Sequence, residues 1–353
     1  MKKGCFLLLI LLFLTYTYQG YKVVDTYTND KIKIKVSGKL SDITGSVLSV
    51  LLETPGTGAV RQIRRVQRDG NHLFMLGDDR LLHFDIDGRF INQINDGNDA
   101  CIAEYVLNTD ANRVIVIDSR RNISHYDYGG NRISKKQIEH PWQKLTAFAF
   151  HNGYLWASAE TYVTDPGQPD TIQIRHDLYQ LDADMNELSR QTLRIAATGR
   201  ERLFAVPFVS ELLADEEGIY AYAPPSDMKH LLGDTLYMAE RKKIPLLYPE
   251  EDTGMACIYP VRKGRRHTVS TCNSPSGEHF TFCYDHEGLT AYILPNGFKD
   301  DFFGTGYITD FQPMDMYNRS YCFLKSGKEL SKKYPGRAAD EDQPVLFIVN
   351  LNT

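Results

Sequence analysis

Beyond residue 20 the chain has no apolar run long enough to cross a bilayer as a helix, no CxxC pair and no excess of basic residues. It also has no GxSxG, HExxH, Walker or Rossmann glycine pattern. The first gap excludes a helical membrane protein. The second excludes the usual zinc-ribbon spacing, and the third excludes a strongly basic nucleic-acid binder. The last leaves no reaction legible in short motifs. No cofactor is expected, and no metal site.

The one long apolar run lies at the start. Phe6–Leu14 follows Lys2 and Lys3, is too short to span a membrane and has the length of a signal-peptide core. Cleavage is expected within residues 17–20, so residues 1–20 read as a signal peptide. The alternative is an uncleaved N-terminal anchor extended through Tyr16 and Tyr18, which is the only membrane contact expected. Cys5 precedes the run, so lipidation is not expected there. The mature chain is expected in the periplasm, the cell envelope or the extracellular space. The net charge is −5, and −5 − 2 = −7 once Lys2 and Lys3 are removed.

Five of the six cysteines follow the signal: Cys101, Cys257, Cys272, Cys283 and Cys322. An odd number leaves at least one free or paired between chains. Cys257 and Cys272 are the best placed for a disulfide; buried thiols packing as small apolar groups are the alternative.

What the chain does have is a recurring phrase: an apolar strand, a carboxylate-bearing turn, a second strand. It reads LLHFDIDGRFINQI at Leu81–Ile94, ISHYDYGGNRISKKQI at Ile123–Ile138, DLYQLDADMNELSRQTL at Asp177–Leu193 and FTFCYDHEGLTAYIL at Phe280–Leu294. The turns open on Asp85, Asp127, Asp182 and Asp285, which are 42, 55 and 103 residues apart, the last about two periods. Repeats of about 40–50 residues that can each supply four strands signify a β-propeller. Roughly 310 residues after Ser46 at about 50 per blade give six blades.

The fold expected is all-β, a six-bladed β-propeller of four-stranded antiparallel blades, in one domain over residues 21–353 with a lead-in at residues 21–45. Blades 1 to 5 begin at IRRVQRD, AEYVLNTD, KLTAFAFHNG, VSELLADEEG and MACIYPV. Blade 6 has YITDFQPMD, RSYCFLKSG and VLFIVNLN, and lacks a fourth strand. Ser46–Glu53 is expected to supply it and so close the ring, leaving no open edge. Within a blade the first strand lines the axis. Links from the second strand to the third, and from the outer strand to the next inner one, share a face. On that face the second-to-third links are long in blade 3 (Thr161–Arg175), blade 4 (Pro224–Gly233) and blade 6 (Ser326–Pro344).

Segments LSDITGSVLSVLLET (Leu40–Thr54), GDTLYMAERKKIPLLY (Gly233–Tyr248) and DEDQPVLFIVNLN (Asp340–Asn352) resemble the exported six-bladed β-propeller family of uncharacterised proteins, whose architecture is similar to NHL and TolB propellers. The resemblance implies export and implies no particular reaction. Two departures stand out. The family's Gly-Pro-Gly-Glu-Tyr-like loop is reduced here to Glu104 and Tyr105, and its lipoprotein cysteine is missing.

Two basic clusters, Arg61/Arg64/Arg65/Arg68 and Arg262/Lys263/Arg265/Arg266, read as solvated charged edges, with an anionic-ligand patch as the alternative. DADMNE at Asp182–Glu187 opens like a calcium loop, but the sixth and twelfth positions hold Glu187 and Leu193 rather than Gly and an acid, so it reads as a hairpin turn. The ten histidines are scattered singly.

The binding residues expected on the loop-bearing face are Glu104, Tyr105, His140, Trp142, Arg200 and Arg202. Aromatic and arginine side chains are good anchors; packing of Trp142 beneath its own loop is the alternative. The function expected is a monomeric interaction module that recognises a peptide or protein, or else a carbohydrate, at the cell envelope. The alternative is a hydrolase or lyase of the propeller type with an axial site.

Overall fold

The computed structural model describes residues 33–56, 63–94, 101–165, 168–199, 211–214, 218–222, 235–238, 243–245, 257–258, 262–263, 266–273, 279–285, 287–317, 319–331 and 343–352. Strands β1 (Lys33–Lys35) and β2 (Val47–Leu51) come first. The first sheet is β3 (Ile63–Asp69), β4 (His72–Gly77), β5 (Arg80–Asp85) and β6 (Phe90–Gln93). The second is β7 (Ile102–Asn108), β8 (Arg113–Asp118), β9 (Asn122–Asp127) and β10 (Arg132–Gln137). The third is β11 (Lys144–His151), β12 (Tyr154–Asp165), β13 (Gln168–Leu181) and β14 (Glu187–Gly199). The fourth is β15 (Glu211–Ala214), β16 (Ile219–Tyr222), β17 (Thr235–Met238) and β18 (Lys243–Pro245).

The fifth sheet holds β19 (Cys257–Ile258), β20 (Arg262–Lys263), β21 (His267–Asn273), β22 (His279–Asp285) and β23 (Thr290–Leu294), with β1 added in parallel beside β23. A separate hairpin, β24 (Phe298–Asp300) with β25 (Gly306–Ile308), follows. The sixth sheet is β26 (Gln312–Pro313), β27 (Ser320–Ser326) and β28 (Pro344–Asn350), with β2 on its outer edge, and a short helix α1 (Gly327–Ser331) follows β27. Val47 stands opposite Val349 and Leu51 opposite Val345. The segment before the first sheet therefore supplies the missing fourth strand.

The carboxylate turns have a common cause. The Asp85 carboxylate accepts from the backbone N–H of Asp87 (3.0 Å) and Arg89 (2.8 Å), and that of Asp182 from Asp184 (2.9 Å) and Asn186 (2.8 Å). Asp127 accepts from Asn131 (2.8 Å), and Asp285 from Glu287 and Gly288 (3.0 Å each). Each carboxylate organises the backbone of its own reversal, as short acidic side chains do at tight turns.

Middle strands are buried on both faces, so they are apolar almost throughout; Leu73–Gly77 in β4 are all buried. Core clusters then link neighbouring sheets. Phe84 and Met75 pack with Leu346 and Ile348, joining sheets one and six. Phe74 packs with Tyr105 and Val114, joining one and two, and Ile115 with Leu155 and Tyr179 joins two and three. Leu178 with Leu212 joins three and four, and Cys283 with Phe347 joins five and six. Among the described residues the thiols of Cys283 and Cys322 are buried and free, and pack as apolar groups.

Several expectations need correction. Thr161–Arg175 is not a loop: Thr161 pairs with Arg175 and Thr164 with Ile172, so β12 and β13 run on as a hairpin. The stretch read as one inner strand of blade 6 is split between β25 and β26. Glu104 and Tyr105 lie within β7 rather than in a link. The backbones of Cys257 and Cys272 lie on adjacent strands, opposite Asn273 and Ile258. The link Pro224–Gly233 lies outside the described residues, as does most of the link after α1.

Candidate functional site

The first strands of the sheets adjoin one another in the order β26, β3, β7, β11, β15. Among the described residues they line a cavity of about 460 Å³ at the centre of these sheets. That is the size of an ordinary small-molecule site. Val106, Phe148 and Met314 reach its middle as members of the sheet-to-sheet core, and half-buried Phe150 and Met316 add apolar surface where the inner strands finish. Polar groups line both ends. Where the inner strands begin stand Arg64, Arg65, Glu104, Thr146 and Gln312; where they finish stand Arg68, Thr109, Asp315 and Tyr317.

At the first mouth Arg65 forms a close, half-buried ion pair with Glu104. Its guanidinium also lies 5.6 Å from the Tyr105 ring centroid. With the Gln67 amide oxygen turned toward it, Gln67 accepts from Arg65 Nε (3.1 Å) and Nη2 (2.8 Å). Arg64 Nη2 bonds Asp79 Oδ1 at 2.6 Å, on the β4–β5 turn. At the other mouth the Asp315 carboxylate accepts from the N–H groups of Tyr317 (2.7 Å), Arg319 (3.2 Å) and Ser320 (2.9 Å). Burial pushes the Asp315 carboxyl above its usual pKa despite these bonds.

The first mouth is also the end from which the third sheet projects. Lys144, the first residue of β11, pairs with Glu160, and β12 continues past it to Asp165. Residues 161–165 with their partners in β13 and β14 form a three-stranded extension beyond the inner strand. One face of it presents Val163, Gln173 and Ala197 in one row and Arg175 and Ile195 in the next. Val163 and Ile195 are 47% and 62% exposed, unusual for apolar strand residues. At the base of its opposite face Glu160 is buried, accepting from Tyr162 Oη (2.6 Å), with Lys144 Nζ at 3.7 Å and His176 Nδ1 at 3.8 Å. Burial holds His176 below its ordinary pKa, against the pull of the Glu160 charge.

The residues expected from sequence fall apart into three groups. Glu104 reaches the axial mouth. Tyr105 is fully buried, its hydroxyl donating to Phe74 O at 2.8 Å, and burial raises its pKa. His140 and Trp142 do come together, stacked at 4.5 Å between centroids and packed against Tyr179, with Trp142 buried in the core. His140 Nε2 bonds Met185 O at 2.7 Å. Arg200 and Arg202 lie outside the described residues. Sequence reasoning passed over Gln67, Thr146, Gln312 and Met314. It read Arg64, Arg65 and Arg68 as a solvated edge, with an anionic-ligand patch as the alternative; all three line the cavity from the first strand of a blade.

No family model matches the sequence, and no curated protein matches it. Among solved structures the chain is similar to one described as a "Putative exported protein" from Bacteroides fragilis NCTC 9343. The TM-score is 0.60 at 12% identity, over 91% of this chain and 100% of that one. Sheets of four antiparallel strands, whose first strands adjoin in order, carry the assignment. The fold is a β-propeller. A further match, to the Pan2 WD40 domain of Neurospora crassa, has a TM-score of 0.45 at 8% identity, over 82% of this chain and 76% of that one. The Bacteroides likeness describes architecture alone, and propellers host unrelated activities.

Proposed function

We propose that the chain is an exported, six-bladed β-propeller of the NHL/TolB-like kind, closed by β2 in the sixth blade, that recognises a peptide or protein partner at the cell envelope through its loop-bearing end. The observation that carries the reading is the extension of the third sheet. A rigid three-stranded platform stands beside the axial mouth and presents Val163, Ala197 and Ile195 to solvent with Gln173 and Arg175 around them. Apolar centres rimmed by polar groups suit protein and peptide surfaces better than sugars, which need stacked exposed aromatics. The expected export agrees with the description of the Bacteroides neighbour and with the apolar run at Phe6–Leu14.

The test compares wild-type chain with a Val163→Asp, Ile195→Asp double variant as baits in envelope extracts. Both sites are exposed, so the variant should melt like the wild type. The reading expects a partner held by the wild type and lost from the variant. An identical captured set, or none captured by the wild type, overturns it.

A further inference from the structure

The three arginines of β3 that line the axis are not equivalent. Arg65 is fully engaged by Glu104, Gln67 and the Tyr105 ring. Arg64 is paired with Asp79. Arg68 donates only from Nε, to Gly70 O at 2.8 Å, and its two terminal nitrogens make no bond among the described residues. An unengaged pair of guanidinium N–H groups is a fork that matches a carboxylate.

The surroundings of Arg68 favour an anion. Asp315 at the same mouth turns its carboxylate onto three backbone N–H groups of its own turn. Thr109 and Tyr317, each following the end of an inner strand, line the same mouth, the Tyr317 hydroxyl lying 3.2 Å from His151 Nδ1. Among the described residues the lining carries three arginines against Glu104 and Asp315, a balance of 3 − 2 = +1. At the same mouth Phe150 and Met316, both half-buried, offer apolar surface to the cavity.

We infer that the axial cavity takes an amphipathic organic anion at this mouth, with its carboxylate on Arg68 and its apolar body against Phe150 and Met316. The two ends of the ring then do different work. The loop-bearing end meets a macromolecular partner, and the far mouth admits a small acid. This site does not depend on the partner reading, because Arg68 and the platform of Val163 and Ile195 lie at opposite ends of the inner strands.

The test titrates 4-phenylbutyrate and its neutral counterpart 4-phenylbutanamide into the purified chain, with calorimetric detection. The acid should bind one to one, more weakly in high salt, and the amide about tenfold more weakly than the acid. Arg68→Gln should bring the acid down to the affinity of the amide and leave the amide unchanged. Arg68→Lys keeps the charge without the fork and should fall between. Arg132→Gln, on the exposed strand β10, should match the wild type. Equal affinity for acid and amide overturns the inference, as does wild-type acid binding by a folded Arg68→Gln chain, or no acid binding at about 10 mM. The Val163→Asp, Ile195→Asp chain should bind the acid normally whether or not it captures a partner, so the two readings stand or fall separately.

Discussion

His72 Nδ1 and His83 Nε2 lie 2.8 Å apart, and this one hydrogen bond fixes the protonation of both rings. His83 Nδ1 faces the carbonyl of Tyr128 at 3.0 Å, which only accepts, so that nitrogen carries the proton. Its Nε2 must then accept, and His72 Nδ1 must donate. The pair tolerates a charge on His72 but not on both rings. Tyr128, from the second sheet, closes the cluster through its hydroxyl to Asp69 at 2.6 Å, so the arrangement ties sheet two to sheet one.

Burial, with the neighbouring His72 second, pulls the His83 pKa down to about 4 from an ordinary 6.5. The unfolded chain therefore binds a proton that the folded chain refuses between those values. Stability is full above about pH 6.5 and declines steadily as the pH falls toward 4, below which His83 adds no further slope. His125, His176 and His267, each lowered chiefly by burial, slope the same way. Thermal melts across pH 4 to 7 should show this decline, with a shallower slope in His83→Gln. A variant slope equal to that of the wild type would remove His83 from the account.

Gly88 in the β5–β6 turn has φ +86°, and a Cβ there would lie 2.1 Å from Leu51 O. The turn is pressed against the end of β2, where Glu53 N donates to Gly88 O at 2.8 Å and Phe90 N donates to Glu53 Oε2 at 2.8 Å. Gly88→Ala must therefore strain the backbone and displace the closing strand together. It should cost roughly 3 kcal/mol or more. Gly70 is the matched control: its φ is +54° and nothing lies within 4 Å of its would-be Cβ. Gly70→Ala should cost only about 1 kcal/mol, the left-handed backbone alone. Equal losses of melting temperature at the two sites would contradict the clash.

Much of this architecture could be read from residues alone, for a physical reason. Asp85, Asp127, Asp182 and Asp285 recur because each reversal needs a carboxylate to hold its backbone N–H groups, so spacing in sequence reports spacing of hairpins. The pairing of β2 with β28 was legible because an apolar strand was left over at one end and one was missing at the other. The site was less legible. Trp142 and Tyr105 look like anchors by residue type, but only packing against Tyr179 and Phe74 shows where they point. The extension of the third sheet was hidden because TYVTDPGQPD has the turn composition of a loop, while Thr161–Thr164 pair with β13, which pairs in turn with β14.

Leu52 follows β2 and is fully buried among Leu73, Phe84 and Leu346. Leu52→Ala removes apolar contacts from the seam between the sixth and first sheets and should cost about 2–5 kcal/mol. Deleting residues 44–55 removes Val50 and Leu52 and bares the edge of β28. That chain should lose cooperative unfolding altogether, because an open sheet edge and an uncovered core act together. A deletion that melted at the wild-type temperature would mean that β2 covers the sixth sheet without holding the sheets together.

Asp182 tests whether the carboxylate turns are structural or ligating. Its Oδ1 accepts from two backbone N–H groups, and its Oδ2 from Asn186 Nδ2 at 2.7 Å. Lys136 Nζ donates to Asp184 O at 3.0 Å, placing a cation beside the turn where a divalent ion would otherwise gain from the acidic residues. Asp182→Ala should therefore lower stability by about 1–2 kcal/mol through loss of the turn bonds. Asp182→Asn, which keeps one acceptor oxygen, should recover roughly half of that. Millimolar calcium should leave the melting temperature of the wild type where it was. A rise that disappears in Asp182→Asn would show instead that the carboxylate gives up its turn to hold an ion, because ligand binding to the native state alone raises stability by mass action.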